Sequence, residues 1–480
     1  MNIYRNAYRV IKGRKKPEQA SITLMLSLLL LVLLSILGTA FYSARIAAAR
    51  VAMVCGLEQG LYSTFAQYDR ELFGKYGLLF ADGGYGAQNL RLSFLLDQTE
   101  EYADYIVHPA KGALSAGKDI VGIGSLSGSI TGYVLASDQE GAAYVRQVCE
   151  LMEKKAGPDL IALGWEELQQ LSDGKDRQKK EKESYQEPEK DEEIEPAEVP
   201  PDFQNPIPGL KKLKQQDLLT LVIPSDRTVS GAEMDDAEWI DRREVQLGMN
   251  MVPESWRGGL EKAMLIQYAG DFFPNFVNGE REKGLQYRLE AILSGQNSDR
   301  ENLRRAVTKI QEIRQISNLL YLMADPEKSA EADQAGLFIA TLVTQPELAP
   351  VMSFLLKNLW AYAEGIADVR CLLSGGKVPM VKDDRSWHLS LGQLADPAAG
   401  LDGAEDKGSG LDYQTYLKIL MAAESSEKMA AGMMTMTEYG MRAETEPCFR
   451  MDNMVDALSV ELTAPLGQRT LSVERSYCYE

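Results

Sequence analysis

Few residue sets in this sequence have the types and spacing that chemistry needs, and each meets an obstacle in its surroundings. The run "GIGSLSG" from Gly122 has one residue too many between its glycines for a dinucleotide-binding turn. It also lacks the Lys-Ser/Thr pair of a phosphate-cradling loop. "SGGK", residues 374–377, reads as a turn that ends a helix. Two S-x-x-K matches, Ser115 with Lys118 and Ser425 with Lys428, have the spacing of a serine nucleophile and its lysine. The S-D-N and K-T-G elements that accompany that pair in penicillin-binding enzymes are absent. Asp402, Glu405 and Asp406 crowd a glycine-rich loop without the ligand spacing of a calcium loop, and no D-x-S-x-S metal-adhesion motif occurs. The 2 histidines, His108 and His388, and 5 cysteines without a C-x-x-C pair leave too few ligands for a structural zinc. The expectation is a protein that is not an enzyme, with no assignable catalytic, cofactor-binding or metal residues and no identified small-molecule substrate.

Bulk composition narrows the classes further. A chain of 480 residues has room for two or three cores, and 45% hydrophobic with 25% charged residues is ordinary for folded protein. The formal net charge of -19 argues against a nucleic-acid partner, since phosphate binding needs clustered Lys and Arg. Six cations stand together at the start, Arg5, Arg9, Lys12, Arg14, Lys15 and Lys16, with no acid among them. Cys55, Cys149, Cys371, Cys448 and Cys478 are widely spaced. Cys448 with Cys478 is the most local pairing, but sparse and odd usage reads as free, buried thiols.

The elements that would have to position any site begin with the uncharged run over residues 21–42. At 1.5 Å per residue it covers roughly 30 Å, enough for a hydrocarbon core and longer than the apolar stretch of an export signal. The cations before it predict a cytoplasmic N-terminus, residues 1–20, with the bulk of the chain outside the cell membrane as a single-pass protein. Val54, Leu57, Leu61, Phe65, Tyr68 and Leu72 recur at three and four, so the anchor is expected to continue as an amphipathic stem to about Tyr76. A pilin-type stem and an ordinary anchor with a juxtamembrane helix both fit that pattern. Gly13 and Glu18 have the spacing of a prepilin cleavage site, but Arg14, Lys15, Lys16 and Pro17 between them speak against processing there.

Residues 43–171 read as the stem plus a mixed α/β extracytoplasmic domain, and 172–208, charged and proline-rich, as a disordered linker. Residues 209–480 read as a mainly helical domain. "DLLTLVIP" at 217–224 is expected to open it as a strand, and Ser298 with Glu301 forms a capping box before a long helix. Helices follow over about 327–344, 347–373 and 412–441, and the tail alternates as a β-hairpin. The fold class is α+β and α-rich.

Four stretches carry a resemblance: "SITLMLSLLLLVLLSILGTAFYSARIAAARV", "YDRELFGKYGLLF", "AYAEGIADVRCLLSGGKVPMVK" and "LDYQTYLKILM". They resemble an uncharacterised family of Gram-positive, mainly clostridial, membrane proteins, domain of unknown function 5702. The N-terminal part is similar to the TadE and TadG proteins, pseudopilin-like components of the Tad (Flp) pilus apparatus. The resemblance implies a membrane-anchored component of a pilus or secretion assembly, with the lipid bilayer and other assembly proteins as partners. It implies no site residues. The acid that TadE-type proteins carry in the early apolar segment is missing here. A cell-envelope sensor or receptor ectodomain is the first rival. The second is an envelope hydrolase gathering carboxylates roughly 5 to 10 Å apart.

Overall fold

The computed structural model describes residues 18–108, 121–184, 188–191, 193–279, 283–395 and 408–479. The N-terminal cations, Gly13, the Ser115–Lys118 pair and the acids at 402–406 lie outside them. Along the chain run α1 (Glu18–Phe65), α2 (Arg70–Tyr76), β1 (Ala81–Asp82), α3 (Ser93–Val107) and β2 (Ser127–Leu135). Next come α4 (Asp138–Ala156), α5 (Pro158–Ser184), α6 (Ile207–Lys214), α7 (Leu218–Val222), α8 (Glu261–Phe272) and α9 (Arg288–Ser294). The last helices are α10 (Asp299–Ala324), α11 (Pro326–Leu342), α12 (Ala349–Leu373), α13 (Tyr413–Met421) and α14 (Ser426–Glu444), followed by β3 (Met454–Leu466) and β4 (Arg469–Cys478). The fold is α+β and α-rich. Its contacts divide it into two units, and the division is not the sequential one expected at 172–208. Unit 1 comprises Met1–Gln67, Arg91–Tyr133 and Ala457–Glu480, and unit 2 comprises Tyr68–Leu90 and Val134–Asp456.

Unit 1 is organised by α1, a single helix of 48 residues. Its large apolar side chains from Ile22 to Tyr42 are exposed, and the helix is long and apolar enough to cross a membrane. Anchors and export signals share that property. Further on, the same helix acquires a buried ridge of Ala49, Met53, Leu57, Leu61 and Phe65, spaced by four. Leu95, Thr99, Ala103 and Val107 of α3, also spaced by four, are buried as well, and the two helices pack together. Gly56 and Gly60 make the close approach feasible. A Cβ at Gly60 would lie 2.6 Å from the Thr99 carbonyl oxygen, and one at Gly56 2.7 Å from Val107 Cγ2. On sequence these glycines only weaken a helix; here they are the contact.

The predicted hairpin is present, with β3 and β4 paired antiparallel from Ala457 opposite Cys478 to Leu466 opposite Arg469. Gly467 at φ +65° turns the chain. β4 packs along α1: Arg475 Nε lies 2.8 Å from Glu58 Oε1, Tyr477 and Tyr479 crowd the Phe65 ring, and the Tyr479 hydroxyl donates to the Phe65 carbonyl at 2.7 Å.

The stem is shorter than expected. α1 ends at Phe65, and Asp69 starts a new helix by accepting from the Leu72 N–H at 2.9 Å. The proposed stripe is therefore split, with Leu57, Leu61 and Phe65 buried on α1, Val54 and Tyr68 half-buried, and Leu72 on α2.

In unit 2, α10 and α11 both pack along α12. Ser298 caps α10 as expected, and Asp325 caps α11 by accepting from Glu327 and Lys328 N–H groups. Three expectations are corrected. "DLLTLVIP" forms the short helix α7 rather than a strand, because Leu219, Leu221 and Val222 bury within one helical turn. The helix expected over 412–441 is two, broken at 422–425, where Ser425 caps α14. The segment read as a disordered linker is α5 as far as Ser184. Its later described residues strap onto α11 and the turn before α12: Asp191 N–H donates to the Glu347 carbonyl, Ala197 N–H to Thr341 Oγ1, and Phe203 stacks edge-on with Phe338.

Candidate functional site

A group of buried titratable side chains lies where α10, α12 and residues 374–395 meet in unit 2. Glu364 and Asp368, four residues apart on α12, face Arg314 and Asn318, four apart on α10. The segment after α12 supplies Lys382, Trp387 and His388. Glu364, Asp368, Arg314 and Lys382 side chains are all 0% exposed in their pairings.

Lys382 Nζ sits at the centre. It lies 2.6 Å from Glu364 Oε1, 2.6 Å from Asp368 Oδ1 and 2.7 Å from the Ser386 carbonyl. Glu364 Oε1 and the Ser386 carbonyl accept hydrogen bonds from the ammonium, whereas Asp368 Oδ1, though close enough for an ion pair, is a buried oxygen that accepts none. His388 Nδ1 is 3.0 Å from Glu364 Oε1 and 3.2 Å from Lys382 Nζ. In one tautomer Nδ1 accepts the third N–H of Lys382, and in the other Nδ1–H donates to Glu364. Backbone N–H groups of His388 and Leu389 also donate to Glu364, at 2.8 and 2.9 Å. Asp368 Oδ2 accepts from Arg314 Nε at 3.0 Å and Asn318 Nδ2 at 2.9 Å. Burial alone would raise the Asp368 carboxyl, but the charges of Lys382 and Arg314 outweigh it and hold it below the usual carboxylate range.

Glu364, Asp368 and His388 have ligand atoms within 4.8 Å of one another, the composition of a cation site. The donor set does not fit a metal as placed. The two carboxylates are already balanced by one ammonium and one guanidinium, and an entering ion would have to expel a fully hydrogen-bonded lysine. The arrangement clamps the irregular segment against α10 and α12, helped by Trp360 and Trp387 indole N–H groups that both donate to the Leu389 carbonyl. Arg314 extends the clamp to the Pro379 and Met380 carbonyls.

The motifs weighed on sequence go elsewhere. Ser425 and Lys428 are a helix cap, the hydroxyl accepting from the Lys428 N–H while the ammonium pairs with Glu424. Ser374 and Gly375, at φ +91°, end α12. Gly122 is a turn beside Arg45. His108 pairs with Asp104 at 2.6 Å in unit 1, so the two histidines do different jobs. All five cysteines are free thiols. Sequence reasoning passed over Glu364 and Asp368. The signal was there: two acids at helical spacing inside "AYAEGIADVRCLL", a stretch in which Arg370 is the one other charged residue.

A second feature of unit 2 is a cavity of about 450 Å³ between α5, α8 and α13, lined by Trp165, Leu168, Ile266, Lys377 and Lys418 among others. Burial lowers the Lys418 pKa despite Asp271 and Asp412 nearby, and its ammonium donates to Gln267 Oε1 at 3.0 Å.

Comparison with known proteins gives one family model, described as a family of unknown function (DUF5702), which matches residues 197–465. The match begins in the strap and includes the buried cluster; it lies beyond α1. No curated protein and no solved structure matches the chain.

Proposed function

The chain belongs to the family of unknown function DUF5702, and from that premise we propose that it is a membrane-tethered structural component of a cell-envelope assembly. The assembly is of the pilus or secretion kind that the Tad-like N-terminus suggests. The observation that carries this reading is α1. One unbroken helix supplies an exposed apolar stretch and, without a linker, the buried ridge of Ala49, Met53, Leu57, Leu61 and Phe65. A stem continuous with its anchor transmits position from the bilayer to the unit built on it, which suits a scaffold.

In this reading residues 22–42 span the bilayer once, the N-terminal cations stay in the cytoplasm, and the rest of the chain lies outside. The early apolar segment carries no acid, so the stem is assigned the role of a tether and not that of a polymerising pilin. The buried cluster serves rigidity rather than turnover.

Two measurements test this. Protease added to protoplasts is expected to degrade the chain beyond Tyr42 and leave an N-terminal epitope intact; protection of residues 209–480 defeats the topology. Photo-crosslinkers on the exposed side of α3, at Tyr105, are expected to capture envelope assembly proteins in cells. Capture only of a signalling kinase at the cytoplasmic tail would turn the reading to a sensor.

A further inference from the structure

Counting from Ile22, residues 22–42 of α1 rise about 31 Å at 1.5 Å per residue, against a hydrocarbon core of about 30 Å. Tyr42 therefore falls at the boundary between acyl chains and headgroups, where amphipathic rings collect. The β3–β4 turn meets the helix at this level. Arg469 places its guanidinium carbon 5.7 Å from the Tyr42 ring centroid. The length of β4 agrees independently. From Arg469 to Arg475 the strand advances about 20 Å at 3.3 Å per residue. From Tyr42 to Glu58, the residue paired with Arg475, the helix rises about 24 Å at 1.5 Å per residue. The strand thus runs alongside the stem from the boundary outward.

The same end of unit 1 is closed by Arg45, whose Nε donates to the Val121 carbonyl at 2.6 Å, and by Gly124 N–H, which donates to the Pro465 carbonyl at 2.8 Å. Gly467, Gln468, Arg469 and Thr470 are exposed. Residues 42–45, 121–124 and 465–470 contain two arginines and no acid, in a chain whose net charge is -19. The two charged residues in these three described segments are both positive. This is the sign that an anionic bilayer surface attracts, by about 1 kcal/mol per Lys or Arg.

We propose that the β3–β4 turn is a second membrane contact, in which Arg469, held beside Tyr42, takes the phosphate of an anionic phospholipid headgroup. The inference rests on the reading that α1 spans a bilayer. It adds that the hairpin, and not the helix alone, registers unit 1 against the membrane surface and resists rotation about the stem. A lone helix leaves that rotation unopposed, whereas a lateral headgroup contact does not.

The test uses the full chain in lipid nanodiscs with the photo-crosslinker p-benzoylphenylalanine at position 468, at 33 within the span, or at 476 farther along β4. Lipid adducts are read by mass spectrometry. Adducts are expected at 33 and 468 and not at 476. The yield at 468 should be several-fold higher in phosphatidylglycerol than in phosphatidylcholine, should fall in Arg469→Gln, and should return in Arg469→Lys. Adducts at 33 with none at 468 overturn the proposal and leave the anchor intact, whereas no adduct at either position overturns both. A yield at 468 indifferent to lipid charge and to Arg469→Gln overturns headgroup recognition. Arg469 lies on an exposed turn, and retention of the adduct at 33 in its variants confirms that they still fold into the bilayer.

Discussion

Replacing Lys382 by Met removes the cation at the centre of the buried cluster while keeping most of the side chain's volume. The ammonium lies 2.6 Å from a carboxylate oxygen of each of Glu364 and Asp368, and none of the three side chains is exposed. Without it, Arg314 still pairs with Asp368, but Glu364 keeps only hydrogen-bond donors. Removing one partner of a buried pair costs about 3–5 kcal/mol, chiefly because the charge left behind stays desolvated. The protein has one escape, to protonate a carboxylate. Asp368 loses the larger of the two charges that offset its burial, so its folded-state pKa rises, and the variant regains stability at low pH and loses it as pH rises through the raised value. The deficit should therefore be near its full size at pH 7.5. It should shrink by about 1.4 kcal/mol per unit of raised pKa that the titration crosses on the way to pH 5. Urea unfolding of the detergent-solubilised chain, followed by tryptophan fluorescence, reads this directly, since the Trp387 ring is 5.7 Å from the lysine nitrogen. Lys382→Met with Glu364→Gln should recover a substantial part of the loss. A deficit below about 1 kcal/mol at pH 7.5, or one that does not change with pH, would refute the reasoning by showing that water reaches the carboxylates.

Glu290 is fully buried on α9, and burial, only partly offset by its bonds from Phe276 N–H and Tyr413 Oη, lifts its pKa to about 7. Its folded pKa is raised, so its contribution is present below about 4.5 and lost as pH climbs through 7. Wild type minus Glu290→Gln should fall by about 2.5 kcal/mol between pH 5 and 8 in urea titrations, and a flat difference removes the argument. Gly60→Val puts a Cβ 2.6 Å from the Thr99 carbonyl oxygen and should cost about 1–3 kcal/mol with faster proteolysis of unit 1. Gly38→Val, with nothing within 4 Å, is the control expected to be neutral. Leu61→Asp buries a carboxylate in the ridge shared by α1 and α3, and the chain should be lost from the membrane by misfolding; normal folding and accumulation of this variant contradicts the buried ridge.

The parts of this fold legible from sequence are those fixed by local rules. The apolar run gives α1, the Ser298 box gives the start of α10, and the alternation after residue 454 gives the hairpin. What stayed hidden depends on partners distant in sequence. Leu219, Leu221 and Val222 suit a strand or a helical turn equally, and only the surfaces of α10 and α12 decide. The segment at 172–208 has the composition of a disordered chain, yet Phe203 and a few backbone hydrogen bonds attach its later part to helices that begin more than a hundred residues further on. Nothing in the residues around Lys382 marks it as buried, because its counter-charges sit on α12, across a turn. Only the pair Glu364 and Asp368, one helical turn apart among mostly apolar residues of α12, hinted at a polar centre.

Unit 1 is assembled from three separated stretches of chain, and the last of them, carrying β3 and β4, is made after all of unit 2. A ribosome delivers α1 first, so its buried ridge is made while the strand that covers its flank is still to be translated. The Phe65 aromatic cluster then waits for Tyr477 and Tyr479 across a gap of more than 400 residues, a slow closure during which apolar surface stays open. A molecule interrupted anywhere before the final hairpin therefore leaves uncovered the flank of α1 against which β4 packs.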